Sequence, residues 1–190
     1  AAQDCASIRN PPTPRPPGAS CQMFGAVMLE SFQSPEWTSA SVRTRLQGKS
    51  SDVVPGPNAT IRVLDDVLNF TLGFWTRHHF VPEEVSIEIT SYSPLPFKYA
   101  KNNDLTIVAD DVVIISENME LLLSNAIADR LLLRIKYSDF LVLAGAKKAS
   151  LKLGSTEIEL NPDVVRALRV LSEFTKQLKP SPPRIQQSCV

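Results

Sequence analysis

The sequence predicts an α+β domain: mostly antiparallel β with sandwich-like packing, carrying a short helix and a C-terminal amphipathic helix packed on the sheet. Three observations carry this. Apolar residues recur with a period of two over most of the chain. Turn-forming residues separate those runs. Near the end the pattern changes to helix punctuation. A length of 190 residues fits one domain. Pro-rich ends bound it, a flexible arm over 1–20 and a tail over 180–190, leaving 21–179 as the folded part.

The arm holds five of the fifteen prolines, in Pro11-Pro12-Thr13-Pro14-Arg15-Pro16-Pro17. Such a run lacks backbone donors and favours extended polyproline II or disorder, so it reads as a stiff tether. Met23–Glu30 is the first strand candidate. In the next, Val42, Thr44 and Leu46 oppose Arg43 and Arg45. Leu68, Phe70, Leu72 and Phe74 then alternate with Asn69, Thr71 and Gly73, and Val85, Ile87 and Ile89 with Ser86, Glu88 and Thr90. Leu105–Val108 and Val112–Ile115 follow. Residues 117–129 suit either a strand or a helical turn around Leu121, Leu122 and Leu123. Leu131, Leu133, Ile135 and Tyr137 share one face of a further strand, with Arg130, Arg134 and Lys136 on the other. Alternation of this kind means one buried and one wet face, the antiparallel habit.

The last third differs. Ser138 is a candidate cap for a short helix over Asp139 to Ala146. Ala149–Leu153 and Thr156–Leu160 read as a hairpin around Gly154-Ser155, a glycine-first two-residue turn. Asn161-Pro162-Asp163 supplies a cap, a proline at the first helical position and an acid beside the positive end of the dipole. The predicted helix runs to about Leu178, with Val164, Ala167, Leu168, Leu171, Phe174 and Leu178 along one stripe, and Pro180 stops it.

Charge excludes function classes. Twenty Lys+Arg balance twenty Asp+Glu, so the basic excess needed for sequence-independent nucleic-acid binding is missing. No run approaches the roughly 18 apolar residues of a membrane span. The chain starts Ala-Ala-Gln-Asp-Cys with no Met, a small-residue start of the kind that signal-peptide cleavage or a simple truncation leaves. Cys5, Cys21 and Cys189 are disulfide candidates; three pairings are open, with one thiol left over.

Motifs for catalysis are sparse. Gly48-Lys49-Ser50 lacks the first glycine of a phosphate-binding loop, since position 43 is Arg43. No Gly-x-Ser-x-Gly elbow occurs. His78 and His79 are the sole histidines; with Glu83 or Glu84 they are the candidate metal ligands, against a plainer reading as a polar loop. Asp65-Asp66 and Asp110-Asp111 invite a paired-carboxylate reading, but acids between strands more often form turns. Trp37 and Trp75 are expected in the core. Lys147, Lys148 and Lys152 are balanced by Glu157 and Glu159 on the facing hairpin strand.

The stretch Tyr137-Ser138-Asp139-Phe140, Ala144 to Lys148, Lys152-Leu153-Gly154-Ser155-Thr156 to Leu160 and Val165-Arg166-Ala167-Leu168-Arg169 resembles a C-terminal module of exported bacterial proteins and lipoproteins of unknown function. The resemblance covers about 40 of the 190 residues. It implies bacterial export and carries no activity with it. The expectation is therefore a non-enzymatic extracytoplasmic binding or structural module, without cofactor, whose partner is a protein or a cell-envelope component. The alternative is a metal- or carboxylate-dependent hydrolase built on His78, His79 and nearby acids.

Overall fold

Alternation becomes strands, and the strands join into one continuous sheet. In the computed structural model, residues 3–4, 17–55, 61–92, 97–125 and 127–180 are described, side chains at 3–4, 51–55 and 61–65 excepted. The elements in chain order are β1 (Gln3–Asp4), β2 (Ala19–Phe24), β3 (Val27–Gln33), β4 (Trp37–Pro55), β5 (Ile61–Arg77), β6 (Glu84–Ser91), β7 (Asp104–Ala109), β8 (Val112–Asn118), β9 (Glu120–Ser124), β10 (Asp129–Lys136), α1 (Tyr137–Gly145), β11 (Ala149–Leu153), β12 (Thr156–Glu159) and α2 (Pro162–Thr175). Mostly antiparallel β with two helices is thus the observed class.

The sandwich expectation gives way to a single sheet of twelve strands, in the order β8-β7-β11-β12-β4-β5-β6-β10-β9, with β3, β2 and β1 continuing from β4. The cause lies in β4. One of its edges pairs with β5 over most of its length, from Trp37↔Arg77 to Lys49↔Asp65. The other edge is shared: Thr38–Arg43 pair with β3, and Lys49–Ser50 with β12. Two wings therefore diverge from one long hairpin, and the sheet curls into a nearly closed, barrel-like wall. The helices pack on the core-lining face of the sheet, each with one side exposed. α1 and α2 pack on each other; α1 also meets β6, β7, β8 and β10, while α2 meets β2, β3 and β4.

Register explains the interior. Val42↔Leu72, Leu46↔Leu68 and Phe70↔Ile89 bring inward-pointing residues of neighbouring strands opposite one another. With Leu131, Leu133 and Ile135 they form one core with Phe140 and Leu143 of α1 and with Val164, Leu168 and Leu171 of α2. α2 starts as its sequence demands: Asn161 Oδ1 accepts the Val164 N–H at 2.9 Å, and Pro162 follows. It ends at Thr175, before the expected Leu178.

Other expectations shift for local reasons. Met23–Glu30 is a hairpin turning at Gly25-Ala26, because Gly25 adopts φ +58°. A Cβ there would lie 2.5 Å from Asp163 Oδ2 at the start of α2. The N-terminal segment contributes β1, which pairs with β2, and β2 begins at Ala19, inside the stretch expected as a flexible arm. Ser138 does not cap α1, whose N-cap is Lys136 without a side-chain bond. Leu121–Leu123 belong to a strand, β9, paired with β10. The tail 181–190 lies outside the described residues.

Candidate functional site

A groove of about 680 Å³ lies on the wet face of the sheet, crossing β2 to β6. Three cross-strand rows build it. Its floor is the row Glu30↔Ser41↔Gly73↔Ser86. One wall is Phe32↔Ser39↔Trp75, and the other is Arg43↔Thr71↔Glu88. Trp75 stands 55 % exposed, which overturns its expected place in the core. Trp37 is also outside, half-buried, with its ring 4.7 Å from Phe32 and 6.4 Å from Trp75. The reason is parity. Position 75 follows Asn69, Thr71 and Gly73, so the pleat that buries Phe74 turns Trp75 outward.

Charges in the groove are paired. Arg43 meets Glu30 at 3.5 Å, and Arg130 meets Glu88 through two bonds of 2.8 and 3.0 Å. Across the ring of Trp75 the Arg77 guanidinium lies 5.5 Å from the centroid, a cation–π contact.

On the opposite side of the sheet sits a buried polar cluster. Asp66 is fully buried in β5, and its Oδ2 accepts from Lys98 Nζ, from Tyr99 Oη at 2.5 Å and from Thr156 Oγ1 at 2.7 Å. Lys98 Nζ also donates to Ser50 Oγ at 2.7 Å and Thr156 Oγ1 at 3.0 Å. Burial alone would raise the Asp66 pKa; hydrogen bonds from Lys98, Tyr99 and Thr156, with the charge of Lys98, overcome it and hold the carboxyl below its ordinary value. Nearby, the Tyr99 N–H donates to buried Asp129 at 2.9 Å, and so does Ser124 Oγ at 2.5 Å. These bonds fasten residues 98–99 onto the sheet. Lys98 and Asp66 side chains are 4 % and 0 % exposed, so the ion pair is sealed from solvent.

The other sequence candidates do not converge. Asp65-Asp66 was expected in a turn; both lie within β5, opposite Lys49 and Gly48. Asp110-Asp111 do form the β7–β8 turn, with φ of 47° and 69°, and Asp110 accepts the N–H groups of Lys147 and Lys148 at 2.9 Å each. His78 and His79 form a turn in which both have positive φ, closed by Phe80 N–H to Arg77 O at 3.2 Å. His79 Nδ1 is 2.5 Å from buried Thr38 Oγ1, while the His78 ring packs edge-on toward Phe80 at 6.2 Å. Among the described residues no three His, Cys, Asp or Glu groups, Glu83 included, are placed to hold a metal ion. Nor is any helix among them long and apolar enough to cross a membrane. The expected balance of Lys152 and Glu157 is seen as a cross-strand pair at 3.7 Å.

Of the disulfide candidates, Cys5 and Cys189 lie outside the described residues. Cys21 lies on the groove side of β2 and is disulfide-bonded.

Compared with protein-family models, curated proteins and solved structures, the chain matches none of them.

Proposed function

We propose that the chain is a non-enzymatic binding module that works outside the cytoplasm, held near a bacterial envelope and presenting its groove to an envelope component. One observation carries this reading. The cluster richest in catalytic residue types, Asp66, Lys98, Tyr99 and Thr156, is sealed, whereas the exposed aromatic groups sit on a rigid sheet beside an open groove. Reactive groups must reach a substrate, while a binding surface needs anchors held in place by the scaffold. The disulfide at Cys21 and the resemblance of residues 137–169 to exported proteins support the compartment.

The test is co-sedimentation of purified protein with an isolated bacterial envelope fraction. Wild-type chain should pellet with the fraction, and Trp75→Ala should stay in the supernatant while unfolding at the wild-type temperature. Equal behaviour of the two proteins would sink the proposal.

A further inference from the structure

We infer that the groove binds a neutral carbohydrate chain, with Trp75 as its stacking platform; this rests on the binding-module reading. On the wet face of β5 the neighbours of Trp75 along the strand are Gly73 and Arg77. The Arg77 guanidinium occupies the ring on one side. Gly73, next along the same face, has no side chain to cover the ring, and Trp75 stands 55 % exposed at the groove. Glycine is required there, since a Cβ would lie 2.6 Å from both Ala40 O and Ser41 Cβ. The result is an exposed indole beside a floor of sheet backbone, Ser41 and Ser86.

The groove's dimensions select an elongated ligand. The floor row, from Glu30 on β3 to Ser86 on β6, runs roughly 14 Å across the sheet at about 4.8 Å per strand. Wall rows flank it one side-chain repeat away on either side, about 6.7 Å along the strands.

Chemistry then selects the ligand class. Both acidic groups of the floor and wall, Glu30 and Glu88, are matched by Arg43 and Arg130. Of the charges around the groove only Arg77 is left over, and it lies on the indole; a neutral polyhydroxyl chain finds planar carboxylate and guanidinium groups that accept and donate. Ser39, Ser41, Thr71 and Ser86 add hydroxyls that do both. The apolar element is an exposed ring, which stacks on the C–H face of a sugar. An extended peptide is disfavoured by the same features. A peptide bound by strand addition takes its affinity from free strand edges, and here the groove runs across strands β2 to β6, which are already paired with one another; a polyproline segment, which docks on aromatic rings, is the competitor the assay separates.

Titration calorimetry and tryptophan emission will be measured with cello-oligosaccharides and chito-oligosaccharides, against polygalacturonate and a proline-rich peptide. A neutral oligosaccharide is expected to bind and to shift the emission. Trp75→Ala should weaken that binding about tenfold or more, and Ser86→Tyr, which fills the floor but leaves the indole, should do likewise. The inference is overturned if no neutral oligosaccharide binds, if either folded variant binds as wild type does, or if only polygalacturonate or the peptide binds. Should the oligosaccharides fail while envelope co-sedimentation still depends on Trp75, the module reading stands and the carbohydrate assignment falls. Loss of both removes both.

Discussion

Replacing Lys98 by methionine removes one charge from the sealed cluster while keeping most of the side-chain volume. Asp66 would then keep the Tyr99 and Thr156 hydroxyls but lose its counter-ion, in a site with 0 % side-chain exposure. Breaking a buried pair from one side costs about 3–5 kcal/mol, because an uncompensated charge is left inside. A domain of this size has about 5–15 kcal/mol to lose, so the variant should sit near the edge of stability. Protonation gives a second signature. In the wild type the Asp66 pKa lies below its unfolded value of about 3.9. Its contribution is therefore fully present above that value and is lost as pH falls through the lower native pKa. Without the ammonium, burial dominates and pushes the carboxyl upward, so the variant recovers by taking up a proton as the medium is acidified. Urea unfolding of both proteins at neutral and acidic pH reads this directly: a large gap that narrows as pH falls. Coupled replacement, Lys98→Met with Asp66→Leu, should restore much of the loss, since an apolar pair of similar volume often substitutes for a buried ion pair. A single-variant cost below about 1 kcal/mol, the size of a surface pair, or a gap independent of pH, would refute the sealed-pair account.

Three further outcomes are expected. Gly154→Ala should destabilise by at least about 1–2 kcal/mol, the cost of a left-handed backbone for a residue with a Cβ, because Gly154 has φ +54° and its Cβ would meet Asn102 O at 2.6 Å; Gly145→Ala, with nothing within 4 Å of the new Cβ, should be neutral or stabilising by about 0.5–1 kcal/mol, and thermal melts compare the two. Asn161→Ala removes the cap on the Val164 N–H and should lower stability by about 1 kcal/mol, with loss of helical circular dichroism confined to melting at a lower temperature. Non-reducing peptide mapping should recover Cys21 in a disulfide; Cys5, which follows the paired residue Asp4 in the chain, is the expected partner, and a free Cys21 thiol would remove the oxidising-compartment argument.

Periodicity made most of this fold legible. The runs 68–74, 85–89 and 131–135 are inward faces, and Asn161-Pro162-Asp163 opens the last helix. Their closure into one curled sheet was not legible, because it depends on β4 dividing one edge between β3 and β12, and partners that distant in sequence leave no local trace. The Gly25 turn was hidden for a different reason. Met23–Glu30 is apolar enough to read through, and a single positive-φ glycine splits it.

The buried ion pair and the groove each carry a signal in the sequence. Asp66 shares the parity of Leu68, Phe70, Leu72 and Phe74, so the alternation that buries them buries it as well. A carboxylate on an inward face demands a counter-ion, and that demand points to a distant cation such as Lys98, between β6 and β7. Trp37 and Trp75 carry the complementary message. They share parity with Ser39, Ser41 and Arg43, and with Asn69, Thr71 and Gly73, which places large rings on the wet face. Hydrophobicity argues for the core, but the pleat decides, because a strand cannot turn one residue inward without reversing its neighbours. A polar residue in phase with the core and an aromatic residue out of phase with it are the two ways a half-buried strand departs from its own pattern. Here the first marks the sealed ion pair and the second marks the open groove.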